Sequence, residues 1–158
     1  MKIGFCGVGH MGGPMAANLV KAGHEVVAFD LMPALLEAVV QEGARAAGSA
    51  VEAVDGVDVV VSMLPSAGAV RGLYLGDEGV LQHIDKSALI IDCSTIDADT
   101  ARDVAGIAQE QGRTMIDAPV SGGVGGAKAG TLTFICGGGE EAIDRARPVL
   151  ECMGGQVF

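Results

Sequence analysis

The sequence predicts an α/β fold, a doubly wound and mostly parallel sheet with helices on both faces, and three observations carry that expectation. Short β-branched runs alternate with helical segments through most of the 158 residues, the pattern of βαβ units with right-handed crossovers. The runs Val57 to Met63 and Leu89 to Asp92 have few polar breaks, as strands buried on both faces do. A glycine-rich turn, Gly7-Val8-Gly9-His10-Met11-Gly12, joins the first strand directly to the first helix.

Taken in order, Lys2 to Cys6 reads as a strand that stops at the glycine turn. Met11 to Ala22 has helical period and Gly23 stops it. Glu25 to Phe29 is a second strand, and Pro33 to Glu42 a helix with proline in its first turn, where a missing N–H costs nothing. A weak strand near Arg45, a short helix from Ser49 to Val54 and the strand Val57 to Met63 follow. No element is assigned between Met63 and the strand Leu89 to Asp92. Asp97 caps a helix running to Gln111, and Thr114 to Asp117 is the next strand. After Asp117 the style changes. Ala118 to Gly130 is expected as a glycine-rich loop, Thr131 to Cys136 as a strand, Glu140 to Met153 as a helix, and Gln156 to Phe158 as the start of a strand that the chain leaves unfinished.

Composition narrows the function classes. The 25 glycines lack a G-X-Y period and there are only 5 prolines, so collagen-like and low-complexity readings fail. A net charge of -10 argues against a nucleic-acid or anionic-membrane surface, since both need clustered Lys and Arg. The least charged stretch, Ala118 to Gly139, is too rich in glycine to span a membrane and carries Lys128. Met1-Lys2 runs straight into an apolar strand, so no leader segment is expected and the location is expected to be cytoplasmic. Cys6, Cys93, Cys136 and Cys152 lie far apart without a C-x-x-C pair, so they read as buried free thiols, and no metal site is expected.

The glycine turn carries the chemistry. Gly7 makes the tight turn, Gly9 lets the backbone approach a pyrophosphate, and Gly12 lets helix and strand pack closely. The helix N-terminus adds unpaired N–H groups and partial positive charge. Asp30 closes the second strand near the spacing of about 20 residues at which a ribose-binding carboxylate is expected. A Rossmann-type dinucleotide site follows. Because a carboxylate accepts from ribose hydroxyls but repels a 2′-phosphate, and Leu31 supplies no cation, NAD is expected over NADP.

Gly7 to Asn18, G-V-G-H-M-G-G-P-M-A-A-N, resembles the signature of the β-hydroxyacid dehydrogenases, and three further blocks agree. Met63-Leu64-Pro65 is similar to the turn bordering the adenosine side. Asp92-Cys93-Ser94-Thr95-Ile96-Asp97 is similar to the loop near the nicotinamide ribose, and Asp117 to Gly125, continuing to Leu132-Thr133-Phe134, to the substrate-binding segment. Ser94 to Asp97 and Val124-Gly125 most resemble the 3-hydroxyisobutyrate dehydrogenases, enzymes of valine breakdown, with the tartronate semialdehyde reductases next. The resemblance implies that Gly7, Val8, Gly9, His10, Met11 and Gly12 face the pyrophosphate, Asp30 and Leu31 the ribose, Met63, Leu64 and Pro65 the adenosine side, and Thr95 the nicotinamide side. It implies that Ser121, Gly122 and Gly123 hold a substrate carboxylate, a role that glycine N–H groups and a hydroxyl can fill as an anion nest. One departure stands out: Ala69 occupies a position where relatives present asparagine, so that contact is missing or supplied by Ser66.

The same resemblance places the base, a lysine in a G-x-G-x-x-x-K segment, beyond residue 158, on the way to an all-helical substrate and dimerisation domain. Lys2, Lys21, Lys86 and Lys128 lie in no such motif, Lys128 reads as solvated in its loop, His10 lies in the phosphate loop too near the pyrophosphate to act as base, and His24 and His83 read as exposed at element ends, so no catalytic residue is assigned. Residues 1–158 are thus expected to form the NAD-binding domain of a homo-oligomeric enzyme for a small hydroxy acid, binding NAD with little turnover alone. A non-catalytic NAD sensor, or a methyltransferase using S-adenosylmethionine, are the competing readings.

Overall fold

The computed structural model describes all 158 residues. Six parallel strands form the main sheet in the order β3-β2-β1-β4-β5-β6. They are β1 (Lys2–Cys6), β2 (Glu25–Phe29), β3 (Arg45–Ala46), β4 (Val59–Ser62), β5 (Leu89–Asp92) and β6 (Thr114–Asp117). The helices between them are α1 (Gly12–Lys21), α2 (Pro33–Gln41), α3 (Ala50–Val54), α4 (Ala67–Leu75) and α5 (Ala98–Glu110). The expected doubly wound sheet is therefore present, with boundaries within a residue or two of the sequence reading.

Period-2 alternation within the strands explains why they read as unbroken apolar runs. Ile3, Phe5, Val59, Val61, Leu89, Ile91 and Ile116 point into one core, shared with Met15, Ala16 and Leu19 of α1. Cys6, Val27, Val60 and Ile90 point into the other, shared with Ala53, Val54, Val70, Tyr74, Val104 and Ala108 of α3, α4 and α5. Both faces are covered, so neither tolerates a polar residue without a partner.

Three features differ from the sequence reading. First, α4 occupies the segment left unassigned. Gly68 and Gly72 lower its helix propensity, but the Ser66 hydroxyl accepts the Ala69 N–H at 3.1 Å as an N-cap, and Val70 and Tyr74, one turn apart, are buried. Second, Ala118 to Gly130 is not a loop. It contains β7 (Val120–Ser121) and α6 (Gly123–Ala129), because Ala127 reaches the core and the Asn18 side-chain amide donates to the Ala127 carbonyl at 2.8 Å. Tertiary burial overrides glycine's propensity here. Third, β7, β8 (Leu132–Phe134) and β9 (Gly154–Val157) make a separate three-stranded sheet, antiparallel then parallel, with α7 (Glu140–Glu151) leading into β9. β9 thus begins before Gln156, and its pairing with β8 continues through Phe158, whose N–H donates to the Phe134 carbonyl at 2.9 Å.

All four cysteines are free, but only Cys6 and Cys93 are buried; Cys136 and Cys152 are half-buried. No helix is long and apolar enough to cross a membrane.

Candidate functional site

In an open parallel sheet the strand order reverses at one point, and the loops leaving the strand ends there splay apart into a crevice. Here that point lies between β1 and β4, so the glycine turn after Cys6 and the Met63 to Ser66 turn form its walls.

The two walls touch. Gly7 has φ +93° and its N–H donates to the Phe29 carbonyl at 2.9 Å; a Cβ there would run into the Met63 carbonyl oxygen. Only glycine fits both the dihedral and the contact. At Gly12 a Cβ would collide with the Gly7 carbonyl oxygen and crowd Phe5 at 3.3 Å, so helix α1 approaches β1 as closely as a backbone allows. Gly9 differs from both, because nothing lies within 4 Å of where its Cβ would be. The protein itself makes no demand for glycine there. The open space is a cradle at the N-terminus of α1, whose first turn carries no side-chain cap and no acid. Unpaired N–H groups and the helix dipole thus meet open space, the arrangement that receives a phosphate group.

Asp30 closes the crevice on the β2 side. One carboxylate oxygen accepts the Val8 N–H at 2.9 Å and the other the Met32 N–H at 2.9 Å. The carboxylate therefore holds the glycine turn in place, and the lone pairs left on its half-buried oxygens can accept further hydroxyls. Leu31 beside it is 88% exposed, with no cation to receive a 2′-phosphate. His10 is exposed and Met11 half-buried, while Met63 and Leu64 are half-buried and Pro65 exposed. Ser66 is engaged as the cap of α4.

Sequence reasoning missed the buried polar chain beneath the second wall. Asp92, at the end of β5, is 1% exposed. The Ser62 hydroxyl donates to Asp92 Oδ1 at 2.8 Å and the Ser94 hydroxyl donates to the same oxygen at 2.7 Å. Because Ser62 spends its one proton on Asp92, the Tyr74 hydroxyl donates to Ser62, at 2.7 Å. The Ser94 oxygen in turn accepts the Leu64 N–H at 2.8 Å. Every buried side-chain nitrogen and oxygen has a partner. The available signal was the polar Ser62 at the end of an otherwise apolar strand. Thr95, next to Ser94, is exposed on the rim.

Burial pushes the Asp92 carboxyl above the ordinary carboxylate range; the Ser94 and Ser62 hydroxyls oppose this, and Asp117, its register partner on β6, adds to it. A folded-state pKa above the unfolded value means that ionised Asp92 costs stability at pH above the raised value, and that this cost disappears as pH falls below the unfolded one. The urea midpoint of Asp92→Asn relative to the parent should therefore be higher at neutral pH than in acid, the difference falling as the parent's carboxyl is protonated. A margin independent of pH would refute this assignment.

Ser121, Gly122 and Gly123 are exposed, beyond the C-terminal end of β6, with φ of +132° at Gly122 and +63° at Gly123. They close β7 and open α6, which the Asn18 bond ties to α1. Lys128 is exposed in the last turn of that helix rather than in a loop. His10 and His83 are exposed, but His24 is half-buried, its pKa lowered by burial and by the N-terminal ammonium.

A family model described as the NAD binding domain of 6-phosphogluconate dehydrogenase matches residues 2–158. Over 156 residues the chain is 56% identical to 3-hydroxyisobutyrate dehydrogenase of Pseudomonas aeruginosa, covering 99% of this chain and 52% of that protein. It is 52% identical to an NAD-dependent L-serine dehydrogenase of the same organism, covering 99% of this chain and 53% of that one. Among solved structures, Mycobacterium tuberculosis 3-hydroxyisobutyrate dehydrogenase with L-serine superposes with a TM-score of 0.96 at 46% identity, over 99% of this chain and 53% of that one. The chain spans about half the length of these relatives.

Proposed function

The chain belongs to the family described as the NAD binding domain of 6-phosphogluconate dehydrogenase, and on that premise we propose that residues 1–158 are the NAD-binding domain of a 3-hydroxyisobutyrate dehydrogenase. The observation that carries its NAD-binding part is the open space beside Gly9, in a turn whose other glycines are each required by a protein contact.

In this proposal Gly7, Val8, Gly9, His10, Met11 and Gly12 surround the pyrophosphate, and Asp30, with Leu31 beside it, takes the adenosine ribose. Met63, Leu64 and Pro65 border the adenosine side, Thr95 the nicotinamide side, and Ser121, Gly122 and Gly123 receive the substrate carboxylate. NAD, when bound, supplies the acceptor for the hydride leaving the carbinol carbon. This chain's residues bind and orient. The proton acceptor is assigned to a lysine in the remainder of the full-length protein, together with the helical substrate domain and the subunit contacts. Turnover by residues 1–158 alone is then expected to be negligible.

The names of two relatives favour a second substrate. 3-Hydroxyisobutyrate and L-serine share a primary alcohol β to a carboxylate and differ in a methyl against an ammonium on the carbon between, so one anion nest serves either. Their discrimination belongs to the part of the pocket contributed by the rest of the protein. Tartronate semialdehyde is the third compound to assay.

Calorimetric titration with NADH tests the binding reading, and saturable binding at submillimolar concentration is expected. A folded chain that fails to bind millimolar NADH would overturn it. NADPH is expected to bind at least about tenfold more weakly, the effect of placing a 2′-phosphate against the Asp30 carboxylate without a compensating cation; equal or tighter NADPH binding would reverse the cofactor assignment.

A further inference from the structure

We propose that Asp92 and Ser94 are positioning residues of the cofactor crevice, holding the Leu64 wall and the Thr95 rim as one rigid unit through hydroxyl bonds that converge on a single buried carboxylate oxygen. This rests on the NAD-binding reading above. It concerns residues that line no surface: Asp92 is 1% and Ser94 2% exposed, so neither is offered to a ligand.

With Asp92 ionised, counting the available protons fixes the direction of every bond. Tyr74 donates to Ser62 (2.7 Å) and Ser62 to Asp92 (2.8 Å) from one side; the Leu64 N–H donates to Ser94 (2.8 Å) and Ser94 to Asp92 (2.7 Å) from the other. The Ser94 N–H adds a longer bond to the same carboxylate oxygen, at 3.3 Å. The carboxylate is the terminal acceptor, so no hydroxyl can reverse without leaving a buried donor unpaired. The network spans the ends of β4 and β5 and the last turn of α4, and its last link is a backbone N–H in the crevice wall. Burial raises the Asp92 pKa, and neighbouring Asp117 adds to it, the cost of keeping a carboxylate among hydroxyls and N–H groups with no cation beside it. An apolar pair would fill the same place without that cost, but it would leave the Leu64 N–H without its acceptor.

The chain has one tyrosine, Tyr74, and no tryptophan, so a ring-13C-tyrosine sample reports this network through a single residue. Tyr74 is 2% exposed and out of a ligand's reach. In the parent, NADH is expected to shift the Tyr74 signal, because the wall and the network move together. In Ser94→Ala the signal should remain that of a folded protein, NADH affinity should fall about threefold to tenfold, the worth of one hydrogen bond, and the NADH-induced Tyr74 shift should vanish. Val57→Ala, a core truncation before β4 at the opposite end of the strand, supplies a destabilised control whose NADH affinity should stay at the parent value. If Ser94→Ala does not fold, Ser94→Cys keeps the volume with a poor donor and acceptor, and the same outcomes apply. Parent-like affinity with a retained shift in the Ser94 variant, or an equal loss in Val57→Ala, would overturn the positioning role. Failure of the parent itself to bind NADH would overturn the functional reading instead.

Discussion

Gly9→Ala should leave the protein as stable as the parent, within about 0.5 kcal/mol, and weaken NADH binding about tenfold to a hundredfold. Nothing lies within 4 Å of the added methyl and the backbone φ is outside the glycine-only region, so folding has no reason to object. The methyl instead occupies the cradle and pushes a pyrophosphate away from the α1 N-terminus. The loss expected is that of one or two charge-assisted hydrogen bonds, about 1.5–3 kcal/mol in all. Gly12→Ala provides the opposite case. Its methyl meets the Gly7 carbonyl, with the carbonyl carbon 2.9 Å away, so α1 must shift off β1. A destabilisation of about 3 kcal/mol or more is expected, and binding is lost with the fold. Thermal melts and NADH titrations on the two variants separate a glycine kept for a ligand from one kept for packing. Equal NADH affinity in Gly9→Ala and the parent would sink the phosphate reading.

Asp30→Ala should have an effect at the upper end of that range, because the carboxylate has two duties. It accepts the Val8 and Met32 N–H groups, each at 2.9 Å, and its outer lone pairs are the ones assigned to the ribose hydroxyls. Removing it leaves the glycine turn without a brace and the ribose without acceptors, so NADH affinity is expected to fall about a hundredfold. NADPH affinity should fall much less, since the repulsion of the 2′-phosphate goes with the charge, and the NADH preference should narrow. Asp30→Asn keeps one oxygen for one of the two N–H groups and should be intermediate. A preference unchanged in Asp30→Ala would show that some other group selects the cofactor.

The strands were legible because both faces of the main sheet are covered, which forces runs such as Val59–Ser62 and Leu89–Asp92 to be apolar at nearly every position. The glycine turn was legible because its spacing is set by local backbone geometry. Neither α4 nor α6 could be read in the same way. Gly68, Gly72, Gly123, Gly125 and Gly126 weaken the local helical signal, and what stabilises these helices is distant in sequence: Val70 and Tyr74 in the second core, Ala127 against the first, and the amide of Asn18. The buried chain from Tyr74 to Leu64 was hidden for a related reason. Asp92 and Ser94 belong to a block whose resemblance drew attention to Thr95, and only the register of β4 beside β5, pairing Ser62 with Asp92, shows that the acid points at a hydroxyl and away from solvent.

By itself the sequence determined the parallel sheet, the glycine turn with an acid at the end of the second strand, and the kinship of the chain, because each depends on residues close in sequence or on an ordered series of motifs. Only the tertiary structure decided which glycines are required by packing and which faces open space, that a glycine-rich stretch folds as strand and helix, and that buried Asp92 accepts from Ser62 and Ser94. Those outcomes depend on what residues far apart in the chain place against each position, and that is known only once the chain has folded.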